Sequence, residues 1–253
     1  MKDKLPIVVG GFYRSGTSLV RRILDSHTQI HCGPEVKFFK DFYGDYLRDP
    51  LKHVRFFSTA KTYHLNEKAL LDIYGRAFVE FHVKAAEAAG KKRWADKNPE
   101  NVLYLEQWHQ LLPGNFIFIH IVRNPLDALA SLSEIGFEKA VPTGFTDRVS
   151  LYKEFRHAGA EYCRNNPELS IEIAYEKLVS EPESLVRQLA EFVGERYEPE
   201  MLMKFNSVER GNGIEDPKVT LSKTIHTSSV DRGMRELSEP ELGIASRVLG
   251  EFL

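Results

Sequence analysis

The first residues with chemistry to offer lie near the start of the chain. Gly11 and Gly16 bracket four residues in "GFYRSGTSL", and Thr17 and Ser18 follow at once. A glycine loop that opens a helix turns backbone amides and the positive end of the helix dipole toward one point, which makes an anion site. The phosphate loop of nucleotide kinases has the spacing G-x-x-x-x-G-K-[ST]. Ser18 fills the hydroxyl position, but Thr17 stands where the lysine belongs. Arg14, Ser15, Gly16, Thr17 and Ser18 instead offer a guanidinium, hydroxyls and amides. A kinase also needs an acidic residue at a neighbouring strand end to hold Mg²⁺. The apolar run "FIFIHIV" ends in Arg123. An anion that needs no magnesium, such as a singly charged sulfuryl group, fits this loop better than a triphosphate.

Four further positions stand out. Glu35 closes "CGPE", where it is either a helix-start carboxylate favoured by the dipole or a general base. His27 and His31 are rival bases, although a helix-end and a strand histidine are commonly structural. Lys97 in "WADKNPEN" is either a surface lysine or a site cation. The run "KFFKDFYGDY" reads as a helix packing its phenylalanines, or as the lining of an acceptor pocket.

These residues need elements to position them. "LPIVVGG", "TQIHC", "KRWADK", "NFIFIHIV" and "LSIEIAY" read as strands, with "NFIFIHIV" expected at the centre because it is the most apolar. Leu19, Val20, Ile23 and Leu24 have helical spacing after the glycine loop. Residues 35–92 read as helical with an irregular patch near "FFSTAKTYHLN", and Asn66 is placed to cap a helix running to Ala89. Helices are expected from Pro99 and from Pro125. Strands alternating with helices predict an α/β fold, a parallel sheet covered on both faces. Ligands then gather at the carboxyl ends of the strands, where Arg14, Glu35, Lys97, Arg123 and Tyr175 all fall. Asn206 to Met234 is a polar stretch without period, held by a closing helix "SEPELGIASRVLGEF", and is expected to be an active-site lid.

Composition sets the bounds. The 253 residues fit one domain, 1–253. A net charge of −2, from 34 basic and 36 acidic residues, argues against bulk nucleic-acid binding. Cys32 and Cys163 are too few for a disulfide framework or a zinc site, and no metal is expected. The first residues enter a strand at once, without a signal or membrane segment, so a cytoplasmic location is expected. A homodimer is one option for assembly.

With these motifs in place, the chain resembles the sulfotransferases that use 3′-phosphoadenosine 5′-phosphosulfate. Their phosphosulfate loop resembles "YRSGTSL". Their 3′-phosphate motif, an arginine at a strand end and a serine eight residues on, resembles "VRNPLDALAS" with Arg123 and Ser131. Ser131 would lie two turns along the next helix, so both could face one phosphate. The nearest likeness is to tyrosylprotein sulfotransferases, in scattered blocks from Leu5 to about Arg232. The resemblance implies a three-layer P-loop-like fold and Glu35 as the general base. Arg14, Lys97 and Ser222 would stabilise the leaving phosphate, Tyr175 would contact the nucleotide, and Arg232 would be a distal cation. It implies a hydroxyl acceptor, phenolic or alcoholic with an amine as an alternative, on a small molecule or a peptide tyrosine. The chain also departs from that branch. Ala95 stands where the partner of a family cysteine at Cys32 is expected, Ile135 replaces a second arginine, and secretory features are absent. Two alternatives stay open at this stage: a P-loop kinase, and a non-catalytic protein that binds adenosine 3′,5′-bisphosphate.

Overall fold

A computed structural model of the chain describes residues 2–44, 54–132, 141–207 and 224–253. Five strands form one wholly parallel sheet: β1 (Ile7–Gly11), β2 (Ile30–Cys32), β3 (Arg93–Lys97), β4 (Ile117–Val122) and β5 (Ser170–Ala174), in the order β2-β3-β1-β4-β5. The middle strand is therefore β1, not the more apolar β4. β4 is still paired on both edges, by β1 and β5, and is buried on both faces. That explains its composition without making it central.

The helices are α1 (Thr17–Asp25), α2 (Phe38–Tyr43), α3 (Val54–Thr62), α4 (Glu67–Ala88), α5 (Leu105–Leu111), α6 (Pro125–Leu132), α7 (Phe145–Asn165), α8 (Tyr175–Ser180), α9 (Pro182–Val193), α10 (Glu200–Met203), α11 (Gly233–Glu236) and α12 (Glu239–Leu249). Alternation along β1 sorts them into two layers. Ile7 and Val9 face α1 and α9 through Leu19, Ile23, Val186 and Leu189. Val8 faces the opposite layer, where Phe78 of α4, Trp108 of α5 and Tyr152 and Phe155 of α7 pack together. The molecule is thus a three-layer sandwich, helices over a parallel sheet over helices.

Asn66 caps α4 as its sequence position implies, its side chain accepting from the Ala69 amide at 2.8 Å. Two expectations need correction. Most of "FFSTAKTYHLN" is helical, because α3 runs through Thr62. The turn that Pro99 starts is a 3-10 helix, Pro99–Leu103, and the α-helix begins only at Leu105. Asn101 explains the break: its side chain donates to the Val9 carbonyl at 3.0 Å and to Asp96 at 2.8 Å, which ties the turn to the sheet end.

Candidate active site

The anion loop is built where β1 stops. Arg14 adopts a left-handed backbone, φ 64, and Gly16 another, φ 95. At Gly16 a side chain is excluded twice over, since a Cβ would also lie 2.5 Å from the Tyr175 ring. The first amides to bond back into α1 are those of Leu19 and Val20, both to the Gly16 carbonyl. The amides of Gly16, Thr17 and Ser18 are the orphan donors of a helix start, and they point along its dipole. The Ser15 hydroxyl is fully buried and has no partner among the described residues.

Arg123, Ser131 and Arg14 meet beside this loop. Arg14 Nε donates to Ser131 Oγ at 3.0 Å. Arg123 Nη1 donates to the Arg14 carbonyl at 2.8 Å, Nη2 donates to the Ser229 carbonyl, and the guanidinium lies 4.5 Å from the Tyr175 ring centre. Arg123 and Ser131 therefore converge through Arg14 rather than on each other. Arg123 Nε is buried and has no partner among the described residues. Burial pulls this guanidinium below its usual range, and the like charge of Arg232 adds to the effect. Arg232 is itself buried and paired with Glu236 at 2.6 Å. Its segment is anchored by Asp127 on α6, whose carboxylate accepts from the amides of Asp231 at 2.9 Å and Gly233 at 2.8 Å.

Glu35 and Lys97 stand on the other side of the loop. Lys97 ends β3, in register with Val9 of the neighbouring β1, and is 1% exposed. Its ammonium donates to Ser18 Oγ at 3.3 Å and to Glu35 Oε1. One cation thus joins the anion loop to the carboxylate, a junction that sequence order does not reveal, since Ser18 and Lys97 are 79 residues apart.

The rival histidines are occupied elsewhere. His27 is buried between the Arg196 carbonyl, 3.0 Å from Nε2, and the Gln29 amide, which donates to Nδ1. His31 faces Asp25 at 3.3 Å. Ser222 and Ile135 lie outside the described residues. Cys32 and Cys163 are free thiols, and Cys32 pairs in register with Ala95, the position expected from the resemblance. Burial pushes the Cys32 thiol up to about 12.

Sequence reasoning missed a second ring of side chains. Lys37 bonds Glu35 at 3.1 Å and Glu100 at 3.0 Å, and Tyr13 donates to Glu100 at 2.8 Å. The aromatic run of α2 packs its phenylalanines as expected, and two of them also border a small recess. Phe39 stacks on Tyr104 inside the core, and Phe38 and Phe39 join Lys37, Lys40, Glu100 and Tyr104 around this recess. Among the described residues no cluster of potential metal ligands is found, and no helix is long and apolar enough to cross a membrane.

Comparisons with known proteins agree with this geometry. The chain is 26% identical over 231 residues to the protein-tyrosine sulfotransferase of Drosophila melanogaster, matching 87% of this chain but 44% of the fly protein. Its fold matches the sulfotransferase domain of the Synechococcus PCC 7002 olefin synthase, with a TM-score of 0.68 at 19% identity over 96% of this chain and 93% of that one. It also matches mouse sulfotransferase SULT7A1 complexed with PAP, with a TM-score of 0.56 at 12% identity over 98% of this chain and 83% of that one. The model of the sulfotransferase family matches residues 6–199, well over half of the chain, and the chain belongs to that family.

Proposed function

We propose that this protein moves a sulfuryl group from 3′-phosphoadenosine 5′-phosphosulfate to an acceptor hydroxyl by in-line displacement. The observation that carries the reading is the Lys97 ammonium, shared between Ser18 of the anion loop and the Glu35 carboxylate. It sets a fixed cation between the place for the phosphosulfate and the place for a base. Glu35 takes the proton of the acceptor hydroxyl as its oxygen bonds to sulfur. The bond from sulfur to the 5′-phosphate oxygen breaks, and adenosine 3′,5′-bisphosphate leaves. Charge grows on that leaving phosphate, where Arg14, Lys97 and the amides of Gly16 to Ser18 stabilise it; such preorganised donors are worth about 3–4 kcal/mol each in comparable sites.

The residues present fit the donor. Ser15 Oγ and Arg123 Nε are buried and unpartnered, at a cost of about 1–3 kcal/mol each that an accepting anion relieves. Arg123 and Ser131 would hold the 3′-phosphate, Tyr175 would pack the nucleotide, and Arg232 would add distal charge. Ser229 and Arg232 reach this corner from the far end of the 206–234 connection, within which Ser222 lies outside the described residues. The fly relative's name favours a phenol as acceptor, on a small molecule or a peptide tyrosine. The test is a panel of phenols, alcohols, amines and tyrosine peptides incubated with isotopically labelled donor and read by mass spectrometry. Labelled sulfate on a hydroxyl acceptor is the expected result. Phosphoryl transfer from Mg-ATP, with no sulfate on any acceptor, would overturn it.

A further inference from the structure

We infer that Lys37, braced by Glu100, is a positioning residue that fixes the orientation of the Glu35 carboxylate and holds a positive charge against it. This rests on the reading of Glu35 as the base. The two oxygens of Glu35 are held by different lysines: Oε1 by Lys97, and Oε2 by Lys37 at 3.1 Å. Lys37 follows Glu35 by only two residues, and it reaches back because its own backbone is left-handed, φ 51. A non-glycine residue there is strained and persists only where surrounding contacts fix it. Those contacts are visible. The Lys37 amide donates to Asn98 Oδ1 at 3.2 Å, and Asn98 in turn donates to Asp96 at 2.8 Å. Asp96 is buried against His82 at 3.2 Å. The turn therefore hangs from the end of β3, the strand that carries Lys97.

Glu100 completes the device. It is buried, and its Oε1 accepts from Lys37 at 3.0 Å, from Tyr13 at 2.8 Å and from Lys40 at 3.5 Å. The Lys37 ammonium lies almost equally far from Glu100 and Glu35, so its charge is divided between them. Burial alone would lower the affinity of Lys37 for its proton, but Glu100 and then Glu35 outweigh it and push the group up, so it stays charged. Burial alone would raise Glu100, but Lys37, then Lys40 and the Tyr13 hydroxyl, hold it below the usual carboxylate range. Burial and the Glu100 charge push the Tyr13 phenol well up, which keeps it a neutral donor. The charged or titratable groups facing Glu35 are thus Lys97, Lys37 and Tyr13. Those facing Glu100 are Tyr13, Lys37 and Lys40.

A lysine in this place could instead recognise an acidic acceptor, and kinetics separate the two roles. With N-acetyl-tyrosine amide as the phenolic probe, Lys37→Met should lower kcat roughly tenfold to a hundredfold, the scale of a misplaced reacting group, with acceptor KM little changed. Lys37→Arg should recover most of the loss. Two pH profiles give a signature that simple damage does not. Removing the Lys37 cation should move the acid limb of kcat to higher pH. Glu100→Gln leaves the whole Lys37 charge on Glu35 and should move that limb to lower pH. Calorimetry with adenosine 3′,5′-bisphosphate checks that each variant is folded. Unchanged kcat with a raised acceptor KM in Lys37→Met, or limbs that shift the same way in both variants, would overturn the inference. A crystal structure of Lys37→Met is the arm independent of turnover: the Glu35 carboxylate should turn away from its place against the Lys97 ammonium, and a carboxylate that stays in place counts against the inference. If the unaltered protein transfers no sulfuryl group yet Glu35 moves in that crystal, the enzymatic reading fails and the positioning inference stands.

Discussion

On the carboxylate side of the site, Glu35 and Glu100 share the ammoniums of Lys97, Lys37 and Lys40, whereas on the anion side Arg123 faces two backbone carbonyls and the ring of Tyr175. Among the described residues no carboxylate is paired with Arg123. Full charges hold the first region in shape at all times, so the base proposed there would be preorganised before substrate arrives. Carbonyl dipoles hold the second more weakly, and a phosphate can displace them because a full negative charge gains more from a buried guanidinium than a dipole does. Under the proposed function, the difference puts the chemistry in one region and donor capture in the other.

Substitutions can break this division. The largest effect is expected at Glu35: Glu35→Gln keeps the shape but removes the proton acceptor. Turnover should fall by about 10² or more, while affinity for adenosine 3′,5′-bisphosphate stays within about threefold. Steady-state kinetics beside calorimetry read both numbers, and a variant that loses donor affinity instead would merge the two regions. Arg123→Ala should do the reverse, weakening the bisphosphate by about 1.5–3 kcal/mol, the range for hydrogen bonds to charged groups. Equal affinity in that variant would show that the 3′-phosphate binds elsewhere.

Asp127→Asn should act more gently, because its hydrogen bonds anchor the segment that brings Ser229 and Arg232 to this side of the site. Loss of one charge-assisted anchor is expected to cost about 1 kcal/mol of bisphosphate affinity, roughly fivefold. Amide exchange across 224–236 should quicken in the same variant, and unaltered exchange would mean that other contacts hold the segment. The smallest effect on the site itself, none, is expected of a control at the sheet edge. Asp25, paired with Lys91 at 3.0 Å and bonded to the Cys32 amide and His31, is lowered to about 2 although burial alone would raise it. Its contribution is full above its unfolded value of about 3.9 and is lost as pH falls through about 2. Asp25→Asn should therefore lower stability by about 1–2 kcal/mol at neutral pH, leave catalysis alone, and converge with the unaltered chain near pH 2. Chemical denaturation at several pH values measures it.

Much of the donor side is legible in the sequence because its signals are local. Gly16, Thr17 and Ser18 are consecutive, and eight residues from Arg123 to Ser131 are two turns of one helix. Glu35 and Lys97 are legible as strand-end residues and through the family resemblance, but it is the parallel pairing of β2, β3 and β1 that brings them to one end of the sheet. The Glu100 ring is not legible at all. Tyr13 and Glu100 are 87 residues apart, and nothing near either residue signals the pair. Lys37 reads as an ordinary helix-start lysine because its left-handed turn is imposed by Asn98 from another strand end. The misplaced centre of the sheet has a similar cause: β4 is apolar because it is buried between two neighbours, and burial does not give rank order.

The division between the two regions is tested most directly by calorimetry on the unaltered chain, with adenosine 3′,5′-bisphosphate in the absence of magnesium and with ATP in its presence. A site whose arginine is held by carbonyls and whose loop has Thr17 in place of lysine should bind the bisphosphate without metal, and bind ATP far more weakly because ATP has no 3′-phosphate. Equal or tighter binding of Mg-ATP would contradict the account, since it would make the loop a magnesium-dependent triphosphate site and leave Arg123 and Ser131 without their ligand.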